Sequence, residues 1–228
     1  MIEVDLATTG RRALNQRLHD LGSGSNRTHW RVRNPEGQHA LCVGLDTPAT
    51  IEIMGHAGYY CAGMNKQAVV VVEGNVGVGV AENMMSGRVH VKGDASQSAG
   101  ATAHGGLLVI DGNASARCGI SMKGVDIVVK GAIGPMSAFM AQSGRLVVLG
   151  DAGDALGDSI YEARIYVRGS VKSLGADCVE KEVRAEHLEE LRELLALAGV
   201  EDAEPTEFRR YGSCRTLYNF HVDNAGAY

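Results

Sequence analysis

Gly93-Asp-Ala-Ser-Gln-Ser-Ala-Gly-Ala-Thr-Ala-His-Gly-Gly-Leu-Leu-Val-Ile-Asp111 is followed without a gap by Gly112-Asn-Ala-Ser-Ala-Arg-Cys-Gly-Ile-Ser-Met-Lys-Gly-Val-Asp-Ile-Val-Val-Lys130. Each stretch is 19 residues long, opens on glycine and an Asx residue, and ends on an aliphatic run and a charge. Working outward, the opening glycine recurs at Gly55, Gly74, Gly93, Gly112, Gly131, Gly150 and Gly169, always 19 residues on. A unit this short, with one strand-like run and many glycines, is too small for a helix pair or a propeller blade. The intervals lack the 10–15-residue helical pattern of a βαβ protein. It suits one coil of a β-solenoid, each coil lying about 4.8 Å from the next. The glycines are expected at coil corners, where the chain turns sharply or takes a positive φ.

Stacking makes residues 19 apart into neighbours, so their chemistry has to agree. The position before the glycine reads Glu73, Lys92, Asp111, Lys130, with alternating sign. Opposite charges in register favour stacking and like charges oppose it, so Lys92 is expected beside both Glu73 and Asp111. The position after the glycine reads Asn75, Asp94, Asn113. Two strand positions are aliphatic throughout: Val70, Val89, Leu108, Ile127, Leu146, Ile165, and Val72, Val91, Ile110, Val129, Val148, Val167. The reading is an all-β, single-stranded β-solenoid of about seven coils over residues 51–175, with helical caps at both ends. Residues 1–50 supply a short helix over 9–21, closed by Gly22 and Gly24, and an irregular first coil with strand candidates at Val32 and 41–43. Residues 176–228 supply a helix over 183–198, closed by Gly199, and a tail. The helix carries an apolar stripe of Leu188, Leu191, Leu195 and Ala198. A solenoid end exposes backbone and apolar surface, and these two helices are the natural covers.

The tail holds Phe208, Tyr211, Tyr218, Phe220 and Tyr228 together with Arg209, Arg210 and Arg215. Aromatics with arginine are favoured at protein interfaces, which makes these residues candidate partner contacts. The competing reading folds the tail back on its own solenoid.

Composition narrows the class. Of 228 residues, 30 are glycine and only 4 proline, without a three-residue period, which excludes collagen. A hydrophobic content of 45% with a net charge of -5 excludes gross disorder and argues against a general nucleic-acid binder. The sequence has no run of 18 apolar residues and no signal-peptide pattern at its start, so a cytoplasmic location is expected. Cys42, Cys61, Cys118, Cys178 and Cys214 are odd in number, lack CxxC spacing and read as reduced thiols. Cys61 and Cys118 share a column but lie three coils apart, about 14 Å, too far for a disulfide. Met84 and Met122 also share a column and read as core filler. Gly74-Asn-Val-Gly-Val-Gly79 lacks the glycine order and following helix of a dinucleotide fingerprint. His56, His90 and His104 fall at different points of the unit and form no metal column. The chain shows no nucleophile–base pair or carboxylate dyad, so no catalytic, cofactor or metal residue is expected. A scaffold or interaction subunit is favoured over a free-standing enzyme.

The repeat with its GxG corners, Gly77 and Gly79 included, resembles the GXGXG β-helix found at the C-terminal end of the glutamate synthase large subunit. More specific are the stretch from Asp111 to Gly124, Met136-Ser-Ala-Phe-Met140, and Gly150-Asp-Ala-Gly-Asp-Ala-Leu-Gly-Asp-Ser-Ile-Tyr-Glu-Ala163. These look like the stand-alone GXGXG subunit of N-methylglutamate synthase, whose polypeptide is split into three. The resemblance implies a right-handed parallel β-helix that works with a class II amidotransferase-like subunit and with another that bears FMN and an iron–sulfur cluster. The assembled reaction would convert L-glutamate and methylamine to N-methyl-L-glutamate and ammonia. The family's glutaminase nucleophile is an N-terminal cysteine, whereas this chain begins Met1-Ile2-Glu3, so no family catalytic residue transfers. The GXGXG-type subunits of formylmethanofuran dehydrogenase and of the formyltransferase/hydrolase complex share the repeat and are the alternative. An independent β-solenoid binding module is a third reading.

Overall fold

A computed structural model describes residues 1–21 and 28–216. Its strands are β1 (Ile2–Asp5), β2 (His29–Arg33), β3 (Thr50–Ile53), β4 (Val69–Val72), β5 (Arg88–Val91), β6 (Leu107–Ile110), β7 (Lys123–Val129), β8 (Ser143–Val148), β9 (Arg164–Val167), β10 (Cys178–Lys181) and β11 (Arg209–Ser213). All join one 11-stranded sheet in the order β1 to β9, then β11, then β10. Strands β1 to β9 pair in parallel, and from β3 to β9 residues meet those 19 further along, as in Ile51↔Val70 and Leu146↔Ile165, except at the start of β7, where a register shift pairs Lys123 with Ser143. The fold is thus a parallel β-solenoid of about seven coils. A second column of single bridges runs Ala57, Val76, Ala95, Ala114, Ile133, Ala152, Val171. Both expected aliphatic columns are fully buried, and Cys61, Cys118, Met84 and Met122 fill the same core.

The glycine row runs as expected, with Gly93 N–H donating to Gly74 O (3.1 Å), Gly112 to Gly93 (3.1 Å) and Gly131 to Gly112 (2.9 Å). Its physical reason differs from the expectation. In the row only Gly55 has a φ in the left-handed half of the map. The others are glycine because a side chain would strike the coil beneath. A Cβ on Gly150 would lie 2.7 Å from both the carbonyl carbon and oxygen of Gly131. Positive φ falls instead on the turn face, at three alternate positions per coil. Ala40, Cys42 and Gly44 begin the pattern, and Tyr60, Ala62 and Met64, then Met136, Ala138 and Met140, repeat it. Tertiary hydrogen bonds hold these non-glycine residues there: Tyr60 N–H reaches Val78 O (2.8 Å) and Met64 N–H reaches Glu82 O (2.7 Å), while Ala62 N–H bonds back to Leu41 O (2.9 Å).

The Asx column is a ladder of side-chain caps. Asn75 Oδ1 accepts from Asp94 N–H (2.9 Å), Asp94 Oδ1 from Asn113 N–H (2.7 Å), and Asn113 Oδ1 from Ala132 N–H (2.9 Å). His56 Nδ1 starts it by accepting from Asn75 N–H (2.9 Å). The charged column is less regular than expected. Lys92 Nζ lies 3.6 Å from Asp111 but forms no ion pair with Glu73 among the described residues, because Asp111 is the hub. Lys130 (2.8 Å) and His90 (3.0 Å) also contact it. Burial raises the Asp111 carboxyl, yet the Lys130 and His90 hydrogen bonds outweigh this and hold it below the ordinary value. Burial outweighs the Asp111 contact and keeps the His90 imidazole below its ordinary value.

The two ends are closed differently. The N-terminal helix is split by Gly10 (φ 72°) into α1 (Leu6–Thr9) and α2 (Arg11–His19). Leu14 and Leu18 of α2 plug the core. Asn15 supplies backbone-like pairing to the first coil, donating to Ala40 O (2.8 Å) and accepting from Cys42 N–H (2.9 Å). Residues 41–43 are a turn rather than the expected strand, with Cys42 at φ 58°. The expected closing glycines Gly22 and Gly24 lie outside the described residues.

At the other end, α3 (Ala185–Leu197) ends at Ala198 and Gly199, as expected, but does not cover the solenoid end. Its Leu191, Leu194 and Leu195 pack on the outer face of the sheet, against Val109, Val128, Val147 and Tyr166. The end is closed by the tail: β11 runs antiparallel to β9 and β10, placing Tyr211 in the core.

Candidate functional site

The described part of the tail folds back on its own chain. Phe208 is buried beneath α3 and Tyr211 in the solenoid core, so neither is free for a partner. Their apolar area is needed to cover the last coil and the outer sheet face. Arg209 donates to Gly169 O (2.9 Å), Arg210 to Glu182 O (2.9 Å), and Arg215 pairs with Glu162 (2.9 Å). Tyr218, Phe220 and Tyr228 lie outside the described residues.

Asp177 ties this end down. Its carboxylate accepts from the Ser213 hydroxyl, from Cys214 Sγ (2.8 Å) and from Thr216 N–H (2.7 Å). Burial works against the charged form, but these hydrogen bonds hold the carboxyl well below its usual range. The backbone of Asp177 sits at φ 64°, a conformation that Asp and Asn tolerate best among non-glycine residues.

A polar cleft of about 320 Å³ lies between α3 and the strands, lined by Gly124, Asp126, Ser143, Gly144, Arg145, Glu162, Arg164 and Glu190. Arg145 grips Asp126 with two hydrogen bonds, Nε to Oδ1 at 2.7 Å and Nη2 to Oδ2 at 2.6 Å. That pairing, ahead of the opposing effect of burial, raises the Arg145 pKa. Glu190 of α3 accepts from Arg164 (2.5 Å) and from the Tyr166 hydroxyl. Burial and the Glu190 contact push the Tyr166 phenol up. Every carboxylate in the cleft has a cation, so the arrangement clasps α3 to the sheet and contains no poised base. Sequence reading missed it because its members come from four segments. The usable signal was the apolar outward position of β6 to β9, at Val109, Val128, Val147 and Tyr166, where β3 and β5 carry Glu52 and His90. An outward apolar column implies a covering element.

No other described feature offers a reactive centre. Burial pushes the Cys61, Cys118 and Cys178 thiols up to about 12, and Cys42 well above its ordinary value. A thiol this hard to ionise is a poor nucleophile. Among the described residues no three His, Cys, Asp or Glu side chains are grouped to hold a metal ion. No described helix is long and apolar enough to cross a membrane.

Fold and surface together define a capped parallel β-solenoid whose ion pairs and side-chain hydrogen bonds serve its own coil contacts and ends. No protein-family model and no solved structure matches the chain. Protein GlxC of Rhizobium meliloti (strain 1021) is 64% identical over 225 residues, covering 99% of each chain. The chain belongs to the GlxC family.

Proposed function

We propose that the chain is a non-catalytic β-solenoid subunit of a glutamate-synthase-like complex of the N-methylglutamate synthase type. It holds an amidotransferase-like subunit and an FMN/iron–sulfur subunit in register and helps wall the passage along which methylamine or ammonia moves between them. The observation that supports this reading best is the chain's self-sufficiency. Its ion pairs, its Asx ladder and its buried thiols serve coil stacking and end closure, and surfaces remain for contact. The family likeness of the coils adds the nature of the partners. No described residue is assigned to FMN or to the cluster, and the flavin chemistry is placed on the partner. The proposed location is the cytoplasm.

Co-purification is the test. The full chain, tagged and co-expressed with the products of its neighbouring genes, is expected to bring down a flavin-absorbing partner. The complex is expected to form N-methyl-L-glutamate from L-glutamate and methylamine. A formyl-transferring partner would move the chain to the formyltransferase branch, and turnover by the lone chain would overturn the reading.

A further inference from the structure

One coil differs from its neighbours on the turn face. Tyr59, Tyr60 and Met64, with Met85 from the next coil, leave 49%, 49%, 52% and 48% of their surface exposed. Their backbones share one part of the turn face: Tyr60 and Met64 N–H groups reach Val78 O and Glu82 O in the next coil, and Met85 N–H returns to Asn65 O (2.7 Å), beside Met64. In the other coils the Tyr59 position holds Val78, Gln97, Ala116, Pro135 and Asp154, and the Tyr60 position Gly79, Ser98, Arg117, Met136 and Ala155. The repeat itself therefore does not require an aromatic side chain there. Tyr60 is also held at φ 58°, a conformation that costs energy for a bulky side chain and is retained where the surroundings enforce it.

The rings form a fixed platform. Tyr59 stacks on His39 at 4.5 Å with an interplanar angle of 16°. Both tyrosines lie across the Gly77-Val-Gly79 backbone: a Cβ on Gly77 would be 2.7 Å from Tyr59 Cδ1, and one on Gly79 would be 2.7 Å from Tyr60 Cδ1. The same point above Gly79 is 2.7 Å from Glu82 Oε2, so a carboxylate stands close to the Tyr60 ring. Glu82 has no ion pair and no side-chain hydrogen bond among the described residues.

An electron-rich ring beside an unpaired carboxylate attracts a cation, and the methionines supply adaptable apolar contact around it. We propose that Tyr59, Tyr60, Met64, Met85 and Glu82 form the docking surface for a partner protein that presents an arginine or lysine flanked by apolar side chains. The cation sits between the Tyr60 ring and the Glu82 carboxylate. The charge complementarity commits the surface to a basic segment. Its place on an open coil face, away from the cleft beneath α3, commits it to a protein rather than a small cation. Taking that partner to be a subunit of the proposed complex rests on the function proposed above; the surface and its chemistry do not.

The experiment uses the full chain in its native cells, with photoreactive p-benzoylphenylalanine in place of Tyr60, and in place of Glu73 as a control on another face. The expected result is one crosslinked protein at position 60, joined through a segment containing arginine or lysine, and none at position 73. Glu82→Lys is expected to abolish the crosslink and Glu82→Gln to weaken it. Tyr59→Ala with Tyr60→Ala is expected to reduce affinity for the identified partner about 30-fold. Circular dichroism is expected to remain unchanged, because both rings are half exposed. A crosslinked partner that is neither amidotransferase-like nor flavin-bearing would sink the complex proposed above while sustaining the docking surface. No crosslink at position 60, a partner segment lacking a basic residue, or full crosslinking in Glu82→Lys would overturn the docking surface.

Discussion

From β3 to β9 strand neighbours stand 19 positions apart, with one register shift at Lys123, whereas from β10 onward the chain reverses and no fixed offset applies. The regular part stacks like on like and buries identical columns. The last coil has no successor, so its upper edge must be met by something of another kind. The chain meets it with an antiparallel strand, an aromatic plug at Tyr211 and a carboxylate hub at Asp177. At the opposite edge, Asn15 does comparable work with a single amide. A repeat thus specifies its own interior, and its ends need residues that the repeat does not contain.

The sharpest way to break the regular part is to separate two coils. Gly150→Ala would press a methyl group against the backbone of Gly131 and Ala132, which has no flexible end to give way. The expected loss is about 3 kcal/mol, as for strong overpacking. Urea denaturation checks it, and amides on both sides of the joint should lose protection together. A loss confined to coil 150–168 would show that the coils are less coupled than the register implies.

The next largest effect separates the regular coils from what covers them. Leu194→Ala removes a buried contact between α3 and the outer sheet face and is expected to cost about 2 kcal/mol. Hydrogen exchange should accelerate in α3 and at 205–208, while β3 and β4, away from the α3 contact at Val109, Val128, Val147 and Tyr166, keep their protection. Equal acceleration in β4 would mean that helix and solenoid open as one unit.

How much of this was legible follows the same division. The coil strands could be read because inward positions such as Val89 and Val91 alternate with outward His90. The columns then set the register. The turn face could not be read in detail, since left-handed conformations at Tyr60, Arg117 and Met136 are imposed by hydrogen bonds between coils rather than by local preference. For α3, the apolar stripe established that one face is buried without saying against what. The strand β11 carries Arg-Arg-Tyr-Gly-Ser, a sequence with little alternation, and its pairing comes from the open edge it meets. The clasp around Glu190 and the hub at Asp177 draw on residues far apart in sequence, so neither follows from spacing.

Asp177 gives a smaller effect, specific to the C-terminal end. Its carboxyl is held below the unfolded value, so its contribution is complete above about pH 3.9. That contribution is lost as pH falls below this through the folded value. Asp177→Ala is expected to cost about 1 kcal/mol, modest because the group is partly exposed. Limited proteolysis should cut faster near Cys214 in the variant, and the difference from wild type should narrow as the pH falls below about 3.9. Asp177→Asn keeps the tolerance for positive φ but loses the charge, and should fall between the two. Unchanged proteolysis in all three would mean that β11 is held by its strand pairing alone.

The smallest effect tests whether the regular part is itself incomplete. The Asx ladder runs from His56 through Asn75, Asp94 and Asn113 to Ala132 N–H, then stops, because Ala132 has no side-chain acceptor for the next coil. It resumes at Asp151, whose carboxylate accepts from Ser170 N–H (2.7 Å). The Asp151 N–H between these two runs makes no hydrogen bond among the described residues. Ala132 is partly exposed, so a longer side chain has room to turn along the column. Ala132→Asn places an amide oxygen where Asn113 places its own one coil earlier, and one more side-chain-to-backbone bond at a wet surface contributes about 0.5 kcal/mol. The expected outcome is a small rise in Tm together with slower exchange of the Asp151 amide. Ala132→Leu, which fills the same space without an acceptor, should give neither. If Asn and Leu behave alike, the column owes its Asx residues to local turn preference rather than to bonding between coils, and the regular part has no missing rung at Ala132.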